Sequence, residues 1–77
     1  MENKEVDLFK GDIAIRIKQL RDERNLTQKE FGILTDIDVR QIQRFETLET
    51  TPSLQSLYKI TRGLKISLSE FFNFKST

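Results

Sequence analysis

Helix-start signals recur along this chain at Thr27, Asp38, Thr51-Pro52-Ser53 and Ser67, and their spacing leaves room only for short helices. Thr27-Gln28-Lys29-Glu30 and Ser67-Leu68-Ser69-Glu70 are capping boxes: the hydroxyl reaches forward to an orphan N–H and the glutamate reaches back. Asp38 stands ahead of Val39-Arg40-Gln41 as a third cap, and Pro52 sits at or near the first turn of a fourth segment. One proline and three glycines in 77 residues break the chain nowhere else. The pattern predicts an all-α fold, a compact bundle of five short helices.

The apolar spacing fills in those helices. Ile13, Ile17 and Leu20 recur at i, i+4, i+7, with Asp12 as the expected N-cap and Asn25 as a left-handed stop. Residues 1–11 fall outside that stripe and read as an N-terminal arm, of which Leu8 and Phe9 can dock. The second helix turns Phe31, Leu34 and Thr35 inward, and Gly32 inside it points to close approach of another backbone. In the fourth, Leu54, Leu57, Tyr58, Ile60, Thr61 and Leu64 make a broad apolar stripe, and the last carries Leu68, Phe71 and Phe72. The folded domain is expected over 12–74, with a tail at 75–77.

Composition removes whole classes of function. Without cysteine or histidine the chain has no disulfide, no zinc site of the usual kind, no thiolate nucleophile and no imidazole base. No pair of carboxylates is spaced for acid–base work, so the expectation is no catalytic residue, no metal and no cofactor. No apolar run approaches the ~18 residues of a membrane span, and MENKEVDLFK lacks the apolar core of a signal peptide. A cytoplasmic protein with no membrane partner and no small-molecule ligand is expected. Net charge is +1, so affinity for nucleic acid has to come from where the charges sit.

They sit on the third helix, 39–46. At 100° per residue, with Ile42 at zero, Phe45 falls near −60° and Glu46 near +40°, an inward group. Arg40 and Arg44 fall near 160° and 200°, flanked by Gln43 at about 100° and Gln41 at about −100°. Two short helices joined by a tight turn, the second with a polar outer face, describe a helix-turn-helix built from helices 2 and 3. Such a helix fits the major groove, where arginine can hold guanine and glutamine can hold adenine through paired hydrogen bonds. Taken alone, the same four residues also suit a solvated helix face.

Residues 13–72 resemble the lambda-repressor-like, Xre-type helix-turn-helix family. The resemblance rests on IRIKQLRDERNLTQKEF, IDVRQIQRFE and PSLQSLYKITRGLKISLSEFF, with Leu26-Thr27-Gln28, Phe31-Gly32, Ile42, Glu46 and Pro52-Ser53-Leu54 in the family's order. It implies that Thr27 and Gln28 lie against the DNA backbone. It further implies that Asp38, Val39, Arg40, Gln41, Gln43, Arg44 and Thr47 belong to the recognition helix and its edges. The family's ion bridge between the first and third helices maps onto Arg21 and Glu46, a structural pair. Three phenylalanines in the last four-residue stretch 71–74 exceed what one short helix can bury, and some family members dimerise through this helix. Leu68, Phe72 and Phe74 are therefore the expected dimer surface.

The implied function is a sequence-specific transcriptional regulator, a homodimer on a palindromic stretch of double-stranded DNA, as in phage-type repressors or restriction–modification controller proteins. Two departures temper it. Asp36 stands where the family has a turn glycine, and Leu48 stands at another frequent glycine position. The segment 36–50 holds Arg40 and Arg44 against Asp36, Asp38, Glu46 and Glu49, so 2 − 4 = −2. That balance keeps a second reading open, a protein-interaction module such as an antitoxin with weak or no DNA binding.

Overall fold

The structure, a computed structural model, describes residues 3–74 and contains five helices in that span. They are α1 (Lys4–Glu23), α2 (Gln28–Thr35), α3 (Val39–Glu46), α4 (Leu54–Leu64) and α5 (Leu68–Phe71). α2 packs on α3 and α4, α1 supports α3 from the other side, and α5 closes against α4. Ile17, Phe31, Ile42, Phe45, Ile60 and Phe71 meet at the centre, at least one from every helix.

Three caps act as their sequences require, and at Ser67 only the forward half of the expected box is made. Thr27 Oγ1 accepts from Glu30 N at 3.0 Å while Glu30 Oε1 accepts from Thr27 N at 2.8 Å, so the box is complete. Asp38 Oδ1 accepts from Arg40 N at 2.8 Å and Ser53 Oγ from Ser56 N at 3.1 Å. Pro52 thus precedes the α4 cap. At Ser67 the forward bond to Glu70 N is made at 2.9 Å.

The first helix begins earlier than expected. Asn3, not Asp12, is the N-cap: its Oδ1 accepts from Glu5 N and Val6 N, and Glu5 and Asp7 supply the acids that favour a first turn. Residues 4–11, expected as an arm, are the first half of α1, and Asp12 lies inside the helix. Phe9 docks, stacking on Phe72 with ring centroids 6.3 Å apart and planes 13° from parallel. The tail at 75–77 and the first two residues of the expected arm lie outside the described residues.

The other helix ends share one device. Asn25, Asp36, Leu48 and Lys65 are left-handed, with φ of 56°, 60°, 65° and 60°, and none is glycine. Each closes a turn in which the following N–H reaches back five residues: Leu26 to Arg21 O, Ile37 to Gly32 O, Glu49 to Arg44 O and Ile66 to Thr61 O. Three of those following residues, Leu26, Ile37 and Ile66, are apolar and pack against the core. Glu49 is the exception. At Gly32 a Cβ would come within 2.6 Å of Ile37 O, which is the close approach that the glycine signalled.

Leucine and lysine suit a left-handed position less than asparagine or aspartate, because Cβ crowds the carbonyl that follows and they offer no short polar side chain to compensate. Leu48 is also half exposed, so little packing offsets that strain. Leu48→Gly is expected to raise stability by about 1 kcal/mol in urea unfolding. A loss of stability would mean that Leu48 contributes more through contact than its backbone gives up.

Candidate nucleic-acid interface

α3 divides by its own arithmetic. Ile42 and Phe45 are buried, while Arg40, Gln43 and Arg44 are exposed and Gln41 is half-buried at their side. Asp38, Arg40, Gln41 and Arg44 line one shallow open cleft of about 210 Å³. Asp38 is exposed and commits one oxygen to the cap, and Val39 is half-buried beside Gly32, over the α2–α3 turn. The loop holds two of these side chains from behind: Gln41 Nε2 donates to Thr50 Oγ1 at 3.4 Å, and Glu49 Oε1 lies 3.9 Å from Arg44 Nε.

The exposed face is anchored by a buried polar cluster. Arg21 Nε donates to Glu46 Oε2 at 2.8 Å and Arg21 Nη2 to Glu46 Oε1 at 3.0 Å, a two-bond pair joining α1 to α3. The side chains are only 12% and 6% exposed. Arg21 Nη1 also donates to Leu26 O at 2.8 Å, which fixes the turn into α2. The hydrogen bond to Glu46 raises the Arg21 guanidinium above its ordinary value, against the lowering effect of burial. Arg21 therefore stays charged throughout the range in which the domain would work.

Gln28 belongs to this cluster as well. Its Nε2 donates to Glu46 Oε1 at 3.0 Å, so one carboxylate ties together α1, α2 and α3. That use of Gln28 was not visible in the sequence, because the partner lies eighteen residues away. Its amide keeps a second N–H available to an outside acceptor. Thr27 is exposed, and since its oxygen accepts from Glu30 N its own proton can still be donated. Thr47 differs: its hydroxyl turns back onto Gln43 O at 3.0 Å, which occupies the proton a phosphate would need.

The acidic balance of 36–50 also has a structural explanation. Glu46 is neutralised by Arg21, and Asp38 is spent on the α3 cap. Asp36 is left-handed with Oδ2 3.9 Å from Lys59 Nζ, and Lys59 also donates to Asp36 O at 3.2 Å. Glu49 faces Arg44. Arg21 and Lys59 lie outside 36–50 and offset Glu46 and Asp36, which brings the local balance to −2 + 2 = 0, while Asp38 and Glu49 remain as charges on this face.

At the far end of the domain Phe72 stands among three rings. It stacks on Phe9, meets Phe71 edge-on at 5.0 Å and lies 6.2 Å from Phe74. Phe71 is fully buried and Phe74 is half-buried against the core, while Leu68 and Phe72 stay exposed, Phe72 beside Phe9 of α1. Arg16 fastens this end: its Nε donates to Phe71 O at 2.8 Å and its Nη2 to Glu70 O at 2.7 Å. Phe9 was expected to dock but without a named partner, and Val6 was missed, although both continue the spacing of Ile13, Ile17 and Leu20. Among the described residues no group of histidine, cysteine, aspartate or glutamate is placed to hold a metal ion. No helix among them is long and apolar enough to cross a membrane.

Comparison with known proteins gives this geometry its relatives. The control protein C.MunI from a Mycoplasma species is 39% identical over 68 residues, covering 82% of this chain and 92% of that protein. The wild-type restriction–modification controller protein C.Esp1396I superposes with a TM-score of 0.75 at 27% identity, over 82% of this chain and 81% of the other. An HTH_3 family transcriptional regulator from Vibrio cholerae gives 0.79 at 34% identity, over 88% of this chain but only 38% of that longer protein. The helix-turn-helix family HTH_3 matches residues 17–71, from the middle of α1 through α5. With its turn, its exposed α3 face and that match over most of its length, the chain belongs to the helix-turn-helix family HTH_3.

Proposed function

We propose that this domain is a sequence-specific DNA-binding transcriptional regulator that acts as a homodimer on a palindromic operator. One observation carries the reading: α3 buries Ile42 and Phe45, locks Glu46 under Arg21, and turns Arg40, Gln43 and Arg44 to the outside. A helix held that firmly from behind can enter a major groove without losing its own packing. Arg40 and Arg44 read bases or clamp the neighbouring phosphates, with Gln41 and Gln43 assisting. Thr27 and the second N–H of Gln28 set register on the backbone. Asp38 and Val39 line the entry to the groove, and Thr47 contributes least because its proton is engaged.

The dimer forms through Leu68 of α5 and Phe72 at its C-terminal cap, with Phe74 beside Phe72 and packed against the core. Exposed Phe9 and Val6 extend that surface along α1. The controller proteins among the relatives favour a role in the control of restriction–modification. Such a regulator works in the cytoplasm, on the nucleoid, and needs neither cofactor nor catalytic group.

Selection from a random duplex pool at moderate salt tests both halves together. The parent is expected to enrich a palindrome with half-sites about one helical turn, ~34 Å, apart. Leu68→Glu, at an exposed position, is expected to enrich one half-site only and to bind at least tenfold more weakly by loss of the second grip. A parent pool that stays random would remove the regulator reading in favour of a protein-interaction module. A palindrome unaffected by Leu68→Glu would move the dimer surface elsewhere.

A further inference from the structure

Among the four left-handed helix ends, the one after α3 breaks the pattern of the others in two ways. Its left-handed residue is Leu48, an apolar side chain left half exposed, and the next residue is charged Glu49 where the other three are apolar and packed. The turn is nevertheless fully formed, with Leu48 N bonded to Phe45 O at 3.3 Å and Glu49 N to Arg44 O at 2.9 Å. What the turn achieves is the return of Glu49 over the residue it has just left, with its carboxylate 3.9 Å from Arg44 Nε. Thr50 N reaches the same Arg44 carbonyl at 3.3 Å, and Thr50 Oγ1 receives Gln41 Nε2 at 3.4 Å. The loop therefore touches two of the outward side chains of α3.

We propose that Glu49 is a specificity-setting positioning residue: its carboxylate, 3.9 Å from Arg44 Nε, draws the guanidinium by that side, so that the two Nη groups face the groove more often. This rests on the reading of the domain as a DNA-binding regulator. The pair is about half exposed on both sides, so it adds little to stability, and its effect is on orientation. A guanidinium drawn toward an acid on its Nε side presents the paired Nη edge that matches guanine O6 and N7. Left free, the same side chain swings to the nearest phosphate, a contact that carries no sequence information. The carboxylate also repels phosphates, so a poorly matched duplex, which offers no base contact to offset the repulsion, is held more weakly. Glu49 thereby trades general affinity for discrimination, which accounts for an acid on a loop beside the DNA.

The test compares the parent, Glu49→Gln, Arg44→Ala and the double variant by pool selection and by titration of random duplex. Arg44→Ala identifies the base pair whose preference depends on Arg44. Glu49→Gln is expected to lose at least threefold of the preference at that same base pair and to bind random duplex about three- to tenfold more tightly. Its salt dependence should steepen by about 0.9 in log K per log salt, one added phosphate contact. In the Arg44→Ala background, removing the acid should tighten all sequences alike and change no preference, which isolates the coupling. Glu49→Gln with the parental preference at that base pair overturns the proposal, as does a preference change that persists without Arg44. A parent that selects no sequence overturns the DNA reading along with it, so the two failures are told apart by the parent alone. Glu49 is exposed, and a melting curve matching the parent's is the expected control.

Discussion

Glu46→Ala is expected to destabilise the domain by about 3–5 kcal/mol, because it strands a buried guanidinium instead of merely deleting a contact. Arg21 would keep its bond to Leu26 O and a 3.5 Å contact with the exposed Asp22 carboxylate, and lose both bonds to the buried one. Gln28 would lose its acceptor in the same stroke, so α1, α2 and α3 would be uncoupled at one point. In a domain of this length each kcal/mol moves the melting temperature by roughly 4–8 °C, so a fall of some tens of degrees is expected in a circular-dichroism melt. Total stability for small domains is often only ~5–15 kcal/mol, so the variant would sit close to unfolding at room temperature. Glu46→Gln keeps the shape and an oxygen acceptor, and should fall between parent and alanine. A Glu46→Ala melt superimposed on the parent's would show that the three helices are held by packing alone.

Arg40→Ala and Arg44→Ala are expected to behave in the opposite way, leaving the fold intact and removing recognition. Both side chains are exposed, so the helical signal and melting temperature should stay within experimental scatter of the parent. A well-made arginine–guanine pair discriminates by about 1–3 kcal/mol per half-site. The proposed homodimer would carry each substitution twice, so a palindromic operator would lose roughly 2–6 kcal/mol, from about thirtyfold to beyond ten-thousandfold in affinity. Random duplex should be affected far less, by the loss of general charge only. Titration of selected and scrambled duplexes at one fixed salt concentration measures both. Equal losses on the two duplexes would reduce these arginines to phosphate clamps and shift base reading to Gln41 and Gln43.

What could be read from the chain alone follows the range of the interactions. Caps are local: Thr27 with Glu30 and Asp38 with Arg40 act within three residues, and the helix ends they imply are where the structure has them. The inward turn of Glu46 was legible because a helix has a fixed pitch and Ile42 and Phe45 set the inner face. The start of α1 was not, since Asn3 was overlooked as a cap and the apolar residues there, Val6 and Phe9, remain exposed. Phe9 finds its partner in Phe72, sixty-three residues later, and no local pattern announces a pairing of that span. Gln28 is similar: the resemblance marks it as a backbone contact, while its bond to Glu46 depends on how α2 lies across α3. The acid count of 36–50 was visible, but its meaning required knowing that the four carboxylates face Lys59, a helix cap, Arg21 and Arg44.

The division of α3 into an anchored side and an outward side has an evolutionary consequence. Residues 42, 45 and 46 hold the helix in place, whereas 40, 43 and 44 contribute almost nothing to that hold. Mutations at the outward positions are therefore close to neutral for folding and can accumulate without a rescue elsewhere. A lineage carrying this domain can drift from one operator to another by single steps, each visible to selection only through the promoter it reaches. Neighbouring copies in one genome could diverge in target while remaining interchangeable in architecture, and insulation between them would rest on three or four side chains.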